Sequence, residues 1–336
     1  MPLTLVIFSA VTLAVFTLCV AAGSVRISPA DIITMIWQSE APARTDNPAY
    51  SIVFSVRLPR VICVALTGAS LSVCGGAMQG LLRNPLADGA TLGVSSGASL
   101  GAVMAIAFGI SIPGLPLAGT AICAMASAFI SLLLILSLAY RLDFSLSTNT
   151  IILIGVIYSM FVSSIITFIT ILASDKIRQI TFWTMGSLSG SGYDSASVLS
   201  AALLVCGGVI MARARELNAF AIGENNARHI GINVERVKLI ILIAVSALIG
   251  ICVSIGGTIG FVGLVTPHMI RMISGPNHRR LLPACMFGGA VFLMLADLAA
   301  RIALNPLELP IGVVTSFTGA LLFIYIFYKS RRAGHA

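Results

Sequence analysis

The sequence predicts an all-α polytopic membrane protein that crosses the bilayer about ten times. Two features of its composition carry this prediction: 58% of the 336 residues are hydrophobic, and only 10% are Asp, Glu, Lys or Arg. A soluble domain carries about 25% charged residues, so a chain of this length with so few is not expected to remain in water. In addition, apolar segments close to the length of about 20 residues that a spanning helix needs recur along the whole chain.

The predicted spans follow one another with short connections. They cover residues 3–22, 59–82, 92–110, 115–140, 149–172, 196–212, 239–255, 256–271, 282–304 and 309–328. The first has no basic segment before it and no small-residue cleavage site after it, which predicts a retained helix rather than a signal peptide. The eighth, GGTIGFVGLVTPHMIR, is rich in glycine and contains Pro267, which predicts a short or broken helix. The chain is therefore interpreted as a single transmembrane domain, residues 1–336.

The net charge of +8 is attributed to membrane topology, and no nucleic-acid partner is predicted. Ten spans leave both termini on one side of the membrane. That side, together with the loops that share it, carries roughly twice as many Lys and Arg residues as the other side. Because basic residues are retained on the cytoplasmic side, both termini and the polar loop 213–238 are predicted to be cytoplasmic.

The residues that usually form metal or nucleotide sites occur here in patterns that predict neither. The seven cysteines lie in apolar segments without a CxxC pair, which is typical of small core residues rather than disulfides or metal ligands. His268 has no Cys, Asp or second His beside it, so a structural role is predicted and no metal site. None of the lysines, Lys176, Lys238 and Lys329, follows a glycine, so the chain has no P-loop for ATP.

Residues 213–238 form a strongly charged loop between the sixth and seventh predicted spans. Its first half has an apolar face that fits a short helix, and Gly223 can end that helix because glycine tolerates the left-handed C-cap conformation. A second short helix, residues 224–230, is predicted before Gly231. Two interpretations stay open, a solvated connector or a docking surface for a soluble partner. The residues assigned to such a surface are Leu217, Phe220, Ala221, Ile222, Gly223, Glu224, Ala227, Arg228 and Gly231.

Asp297 and Arg301 are the most informative charges within the predicted spans. Their spacing of four residues places them on one helix face, where they can pair. Either they form a proton relay, or Asp297 orients Arg301 near the outer surface. Arg57 and Arg60 begin the second span at that same predicted surface. Their long side chains are suited either to anchoring the helix in the interface or to binding a partner.

A series of short motifs, taken in order, resembles a known family. The motifs are RLPR from residue 57, GASL from 68, QGLLRNPLA from 79, LGVSSGAS from 92, GFVGLVTPH from 260, NHRRLLP from 277, ADLAAR from 296 and ELPIG from 308. Each is weak alone, but their joint order over some 300 residues is specific. The chain resembles the FecCD family of ATP-binding-cassette (ABC) importer permeases, which includes cobalamin, haem and ferric-siderophore permeases. The resemblance covers the chain from about residue 23 to its end.

The resemblance implies a type II ABC-importer permease fold in the cytoplasmic membrane of a prokaryote. It implies two ABC ATPase subunits, a second permease copy or a paralogue, and an extracytoplasmic substrate-binding protein as partners. ATP and Mg²⁺ would be bound by the ATPase, so the chain itself is expected to hold no cofactor and to catalyse no reaction. As substrate a ferric siderophore is ranked first, then haem, then cobalamin.

The resemblance also implies roles for individual residues. Arg57, Arg60 and Arg301 would accept carboxylates of the binding protein, and the loop surface described above would couple the permease to the ATPase. Near the cytoplasmic gate it would place Asn84, Leu86, Thr148 and Asn149.

Two rival classes are weaker. An ion-coupled secondary transporter is expected to carry acidic residues at mid-membrane, and the first eight predicted spans contain essentially none. A receptor or structural membrane protein would not explain the glycine-rich, proline-broken spans.

Overall fold

The described part of the computed structural model comprises residues 2–23, 48–112, 116–143 and 147–333. Helices make up its regular structure, and Leu304 and Leu307 form an isolated antiparallel bridge. In chain order the helices are α1 (Pro2–Ala21), α2 (Ile52–Leu81), α3 (Val94–Phe108), α4 (Pro116–Leu142), α5 (Thr148–Leu172), α6 (Ile177–Thr184), α7 (Tyr193–Ala212), α8 (Ala214–Ile222), α9 (Glu224–His229), α10 (Val234–Gly256), α11 (Val262–Ser274), α12 (His278–Ile302) and α13 (Ile311–Ala333).

The helices confirm the predicted polytopic fold of about ten spans. Seven of the described helices are long and apolar enough to cross a membrane, namely α1, α2, α4, α5, α7, α10 and α12. The shorter apolar helices α3 and α13 and the 13-residue α11 correspond to the three remaining predicted spans. Boundaries shift most at α2, which begins at Ile52 rather than at residue 59, because its first six residues form a π-helical segment.

Helix α2 lies at the centre of the bundle. In its most apolar stretch 83% of the residues are buried, compared with 22% in α5 and 11% in α1. It contacts its neighbours through backbone: a Cβ on Gly75 would lie 1.8 Å from the carbonyl oxygen of Gly263 in α11, and one on Gly68 would lie 2.3 Å from that of Gly289 in α12. No other residue fits at these crossings, which is how small residues let helices approach in membranes.

The connections before α3 and α11 do not stay at the surface of the bundle. A Cβ on Gly263 would meet both Asp88 Oδ1 at 2.3 Å and the carbonyl oxygen of Leu71 at 2.9 Å. Leu71 precedes the end of α2 by about 15 Å of helix, so Asp88 lies level with the inside of the bundle. The stretch RNPLADGA, residues 83–90, predicts a turn after the second span. The turn is present, and beyond it the chain folds back inwards and is covered by protein, a setting in which irregular backbone is tolerated at membrane depth.

Asp88 weakens one of the arguments made from the sequence against an ion-coupled transporter. It lies in the connection between the second and third predicted spans and so in no span, but its side chain packs against Gly263 inside the bundle and accepts a hydrogen bond from the backbone N–H of Gly89 at 2.5 Å. The assignment to a transporter class therefore has to rest on other observations.

Candidate functional site: two charged regions at opposite ends of the bundle

Charged side chains gather at both ends of the bundle. Helices α2 and α12 run in opposite directions, so the start of α2 and the end of α12 share one end of the bundle. This end contains Arg57, Arg60 and Arg301 and is called the arginine end. The opposite end contains α8, α9 and the beginnings of α5, α10 and α12, and is called the loop end.

At the arginine end, Asp297 joins two arginines from different helices. Arg60 Nη2 lies 2.9 Å from Asp297 Oδ1, and Arg60 Nε donates a 3.0 Å hydrogen bond to the same oxygen. Arg301 Nε lies 2.9 Å from Asp297 Oδ2, the pairing predicted from their spacing. Arg60 Nη1 reaches a second carboxylate, Glu308 Oε2, at 2.8 Å. The side chain of Asp297 is 1% exposed, so this is a buried network rather than a surface ion pair.

Two of the three arginines at this end, Arg57 and Arg301, also cap the C-terminal end of helix α1. Arg301 donates to the carbonyl oxygens of Cys19 at 3.1 Å and Ala22 at 3.2 Å. Arg57 donates to those of Val20 at 3.3 Å and Ala21 at 3.0 Å. The last carbonyls of a helix have no partner within it and carry partial negative charge, so cations there are favourable. Helices α1, α2 and α12 are thereby fastened together at this end.

The three arginines that were predicted to dock a binding protein are buried. The docking role stays a prediction. Arg57, Arg60 and Arg301 are only 6%, 6% and 4% exposed. Each is already bonded to protein groups, so none presents a free guanidinium to a partner in this conformation. The exposed member of the network is Glu308, whose side chain is 38% accessible.

At the loop end, the predicted two-helix loop is confirmed. Helices α8 and α9 are separated by Gly223, whose φ of +125° is a conformation that side-chain-bearing residues rarely adopt. Gly231, also at positive φ, follows α9. The chain then enters α10 through Asn233, whose side chain accepts a 2.9 Å hydrogen bond from the backbone N–H of Arg236 and so caps the helix.

The predicted apolar face of this loop is divided by the structure. Leu217, Phe220 and Ala227 are fully buried against the rest of this chain, so they hold the loop in place and are not available to a partner. Ala221, Arg228 and Gly231 are exposed, and the side chain of Ile222 is 73% accessible. Gly223 and Glu224 are half-buried. The coupling role stays a prediction, and the surface that can perform it is the exposed part of the set.

Two polar contacts tie the loop to the spans. Asn218 Oδ1 accepts from the backbone N–H of His278 at 2.8 Å and lies 2.9 Å from its ring Nδ1, while Asn218 Nδ2 donates to Asn277 Oδ1 at 2.9 Å. These contacts fix α8 to the start of α12. Lys238 Nζ lies 2.8 Å from Glu224 Oε2, which fixes α9 to α10. The contacts of Asn218, His278 and Lys238 were not predicted from the sequence.

The predicted gate residues are partly brought together. A cleft of about 760 Å³ at the loop end is lined by Leu82, Arg83, Ser147, Thr148, Asn149, Gly223, Glu224, Asn225 and Asn226. Thr148 and Asn149, at the start of α5, thus share a cleft with the loop. Asn84 and Leu86 lie outside that lining, in the adjacent turn, where Asn84 Oδ1 accepts from the backbone N–H of Leu86 at 2.9 Å. A role in a gate stays a prediction for all four residues.

None of these regions has the donor set of a metal centre. Within the described residues, no three His, Cys, Asp or Glu side chains converge as metal ligands. The arrangement instead offers two polar surfaces separated by the length of a membrane span.

A bundle of about ten apolar helices, with broken helices meeting inside it and a folded polar loop at one end, has the architecture of a membrane transport permease. Comparison with known proteins identifies the family. The model of the FecCD transport family matches residues 11–329, so the chain belongs to that family. It is a permease of a type II ABC importer and a multi-pass protein of the prokaryotic cell membrane.

Individual relatives cover almost the whole chain. An uncharacterized ABC transporter permease protein of Bacillus subtilis, YvrB, is 39% identical over 94% of this chain and 91% of its own length. The vitamin B12 import system permease protein BtuC of Citrobacter koseri is 39% identical over 83% of this chain and 84% of its own. A solved inward-facing structure of a putative metal-chelate type ABC transporter superposes with a TM-score of 0.85 at 28% identity, covering 98% of this chain and all of that one.

Proposed function

We propose that this permease admits cobalamin or a closely related corrinoid, driven by ATP hydrolysis on two separate ATPase subunits. The observation that carries the proposal is the 39% identity to the Citrobacter koseri vitamin B12 permease over more than four fifths of both chains. The sequence motifs alone ranked a ferric siderophore first. The similarity to the B12 permease favours ranking cobalamin first, because it extends over 83% of this chain and is not confined to the short shared motifs.

The proposed orientation places the loop end in the cytoplasm. The excess of basic residues on that side supports this assignment. There the exposed part of the loop, which includes Ala221, Ile222 and Arg228, offers apolar and charged side chains to an ATPase subunit. The arginine end would then face the binding protein, with Glu308 as its accessible charge. A second permease copy or a paralogue completes the proposed pathway.

A ferric siderophore or haem is kept as the second candidate. It is supported by the similarity to the putative metal-chelate type transporter, because cobalamin, haem and ferric siderophores are all large metal chelates. No residue cluster described above distinguishes one chelate from another, so the choice has to be made by experiment.

The test is transport by the complete system. The permease is reconstituted in liposomes with its ATPase and binding protein, and uptake of labelled cyanocobalamin, ferrichrome and haemin is measured with ATP inside. The proposal expects ATP-dependent uptake of cyanocobalamin that excess ferrichrome does not reduce. Uptake of ferrichrome or haemin without cyanocobalamin would replace the proposed substrate while leaving the permease class intact.

A further inference from the structure

The second loop helix, α9, is joined to the span α10 by a buried ion pair. Lys238 Nζ lies 2.8 Å from Glu224 Oε2, and the lysine side chain is fully buried while that of Glu224 is 19% exposed. A buried ammonium group is strongly destabilised when its charged partner is taken away. Helix α9 therefore cannot move away from α10 without either breaking this ion pair or moving α10 with it.

The two loop helices are attached to different spans. Helix α8 is fixed to the start of α12 through Asn218, whereas α9 is fixed to α10 through Glu224. Gly223 stands between them with a backbone conformation that lets the chain turn sharply. A force applied to the exposed loop surface is thus divided at Gly223 and reaches two spans through two separate contacts.

Glu224 also stands next to the predicted gate. It lines the same cleft as Thr148 and Asn149 at the start of α5. The carboxylate therefore has Lys238 of α10 on one side and the beginning of α5 on the other. A charge-assisted pair at this place holds α9 in one position along α10, whereas an apolar contact at the rim of a wet cleft could slide.

We propose that the Glu224–Lys238 pair transmits movement of the docked loop into span α10, and that both residues are positioning residues of the transport cycle. This inference rests on the proposed function, because the movement would originate in an ATPase subunit bound to the loop. It assigns a role in transport to Lys238, a buried residue of α10.

The test compares transport with ATP hydrolysis in the reconstituted complex. Glu224→Gln removes the charge with little change of shape. The variant complex should retain its ATPase subunits and hydrolyse ATP at a rate close to the wild type. The number of cyanocobalamin molecules taken up per ATP should fall by about tenfold, within the range of ordinary coupling energies. A ratio equal to that of the wild type, in an intact complex, overturns the inference.

Matched variants separate the proposed role from stability. Glu216→Gln also removes one loop carboxylate, but from a half-exposed pair with Arg213 at 2.9 Å, and should leave the ratio unchanged. Glu224→Asp keeps the charge and should recover part of the ratio. Lys238→Met alone leaves the carboxylate of Glu224 without the lysine. If that variant fails to assemble, the double variant Glu224→Gln with Lys238→Met removes both charges of the pair. Wild-type coupling in that double variant would also overturn the inference.

Failure of the inference can be distinguished from failure of the proposed function. A wild-type complex that does not take up cyanocobalamin argues against the proposed substrate, whatever the variants do. The pair is then tested by spin labels at Asn225 in α9 and Ile243 in α10, both exposed positions. The inference expects the distance between the labels to stay constant through the nucleotide cycle in the wild type and to vary in Glu224→Gln. A distance that varies equally in both contradicts it.

Discussion

The two ends of the bundle both use buried charge, but they use it differently. At the arginine end, Asp297 binds Arg60 and Arg301. Arg301 and Arg57 bind the last carbonyls of α1, so that three spans are fastened by many contacts. At the loop end, Leu217, Phe220 and Ala227 pack against the rest of the chain, but the polar contacts are few: Asn218 for α8 and Glu224 with Lys238 for α9. Many mutual contacts favour a rigid end, and few contacts to different spans favour an end that transmits movement.

The largest effect is expected where the arginine network is broken. Asp297→Asn keeps the shape of the side chain but leaves Arg301 buried without its carboxylate and Arg60 with only the partly exposed Glu308. Breaking a buried pair in this way costs about 3–5 kcal/mol. The midpoint of thermal unfolding of the purified permease should fall steeply. Glu308→Gln is the control, because its partly exposed pair with Arg60 contributes no more than about 1 kcal/mol. Equal stability of the two variants would contradict the rigid-end interpretation.

This network also changes how a docking test should be designed. Replacing Arg60 by Glu would bring a third carboxylate against Asp297 and Glu308, so lost transport in that variant would report lost folding as well as lost docking. The sequence alone gave no reason to expect this, because it placed the arginine at a water-exposed surface.

The next effect in size tests how the loop surface is divided. Phe220→Ala empties a fully buried site and should destabilise the protein by about 3–5 kcal/mol. Ile222→Ala, two residues away and 73% exposed, should change stability by less than about 0.5 kcal/mol. Denaturation of both variants in mixed micelles measures the difference. Similar losses in the two would show that the loop packs against the spans through another face.

Much of the fold could be predicted from local patterns, because the hydropathy of a segment alone predicts whether that segment forms a spanning helix. The loop was predicted for the same reason: Gly223 and the polar residues around it give local signals for two short helices. The Asp297–Arg301 pair was found because its two members are one helical turn apart. In each of these cases the determining contacts are close in sequence.

The parts that were missed depend on contacts between distant segments. Asp88 follows a local turn pattern, yet the turn is drawn into the bundle by close packing against Gly263, nearly two hundred residues later. Phe220 and Ile222 look alike in sequence, but only the arrangement of neighbouring spans decides which of them is buried. The partner of Lys238 is on a separate helix, and no periodicity relates the two. Hydropathy therefore locates elements well and assigns their faces poorly.

The smallest effect on stability is expected from Ala221→Asp, and it is the most selective test of the loop end. Ala221 is exposed, so in the free permease the new carboxylate remains in water and the free energy of unfolding should stay within about 0.5 kcal/mol of the wild type. If an ATPase subunit covers this surface, the same carboxylate becomes buried without a partner at the contact, which costs several kcal/mol. Co-purification of the ATPase should therefore be lost while the permease remains folded.

The outcome separates the two interpretations that the sequence left open. Gly190→Asp is the control, because it places the same charge in the connection before α7, at the opposite end of that helix from the loop. A Cβ at this position would meet no neighbouring atom within 4 Å, and the positive φ of Gly190 adds some backbone strain. That control should retain the ATPase. If Ala221→Asp also retains it and transports normally, the loop is a solvated connector, and the few-contact end of the bundle has to be explained without a docked partner. If only Ala221→Asp loses it, the exposed part of the loop is the docking surface, and α8 and α9 are the elements through which ATP hydrolysis reaches α12 and α10.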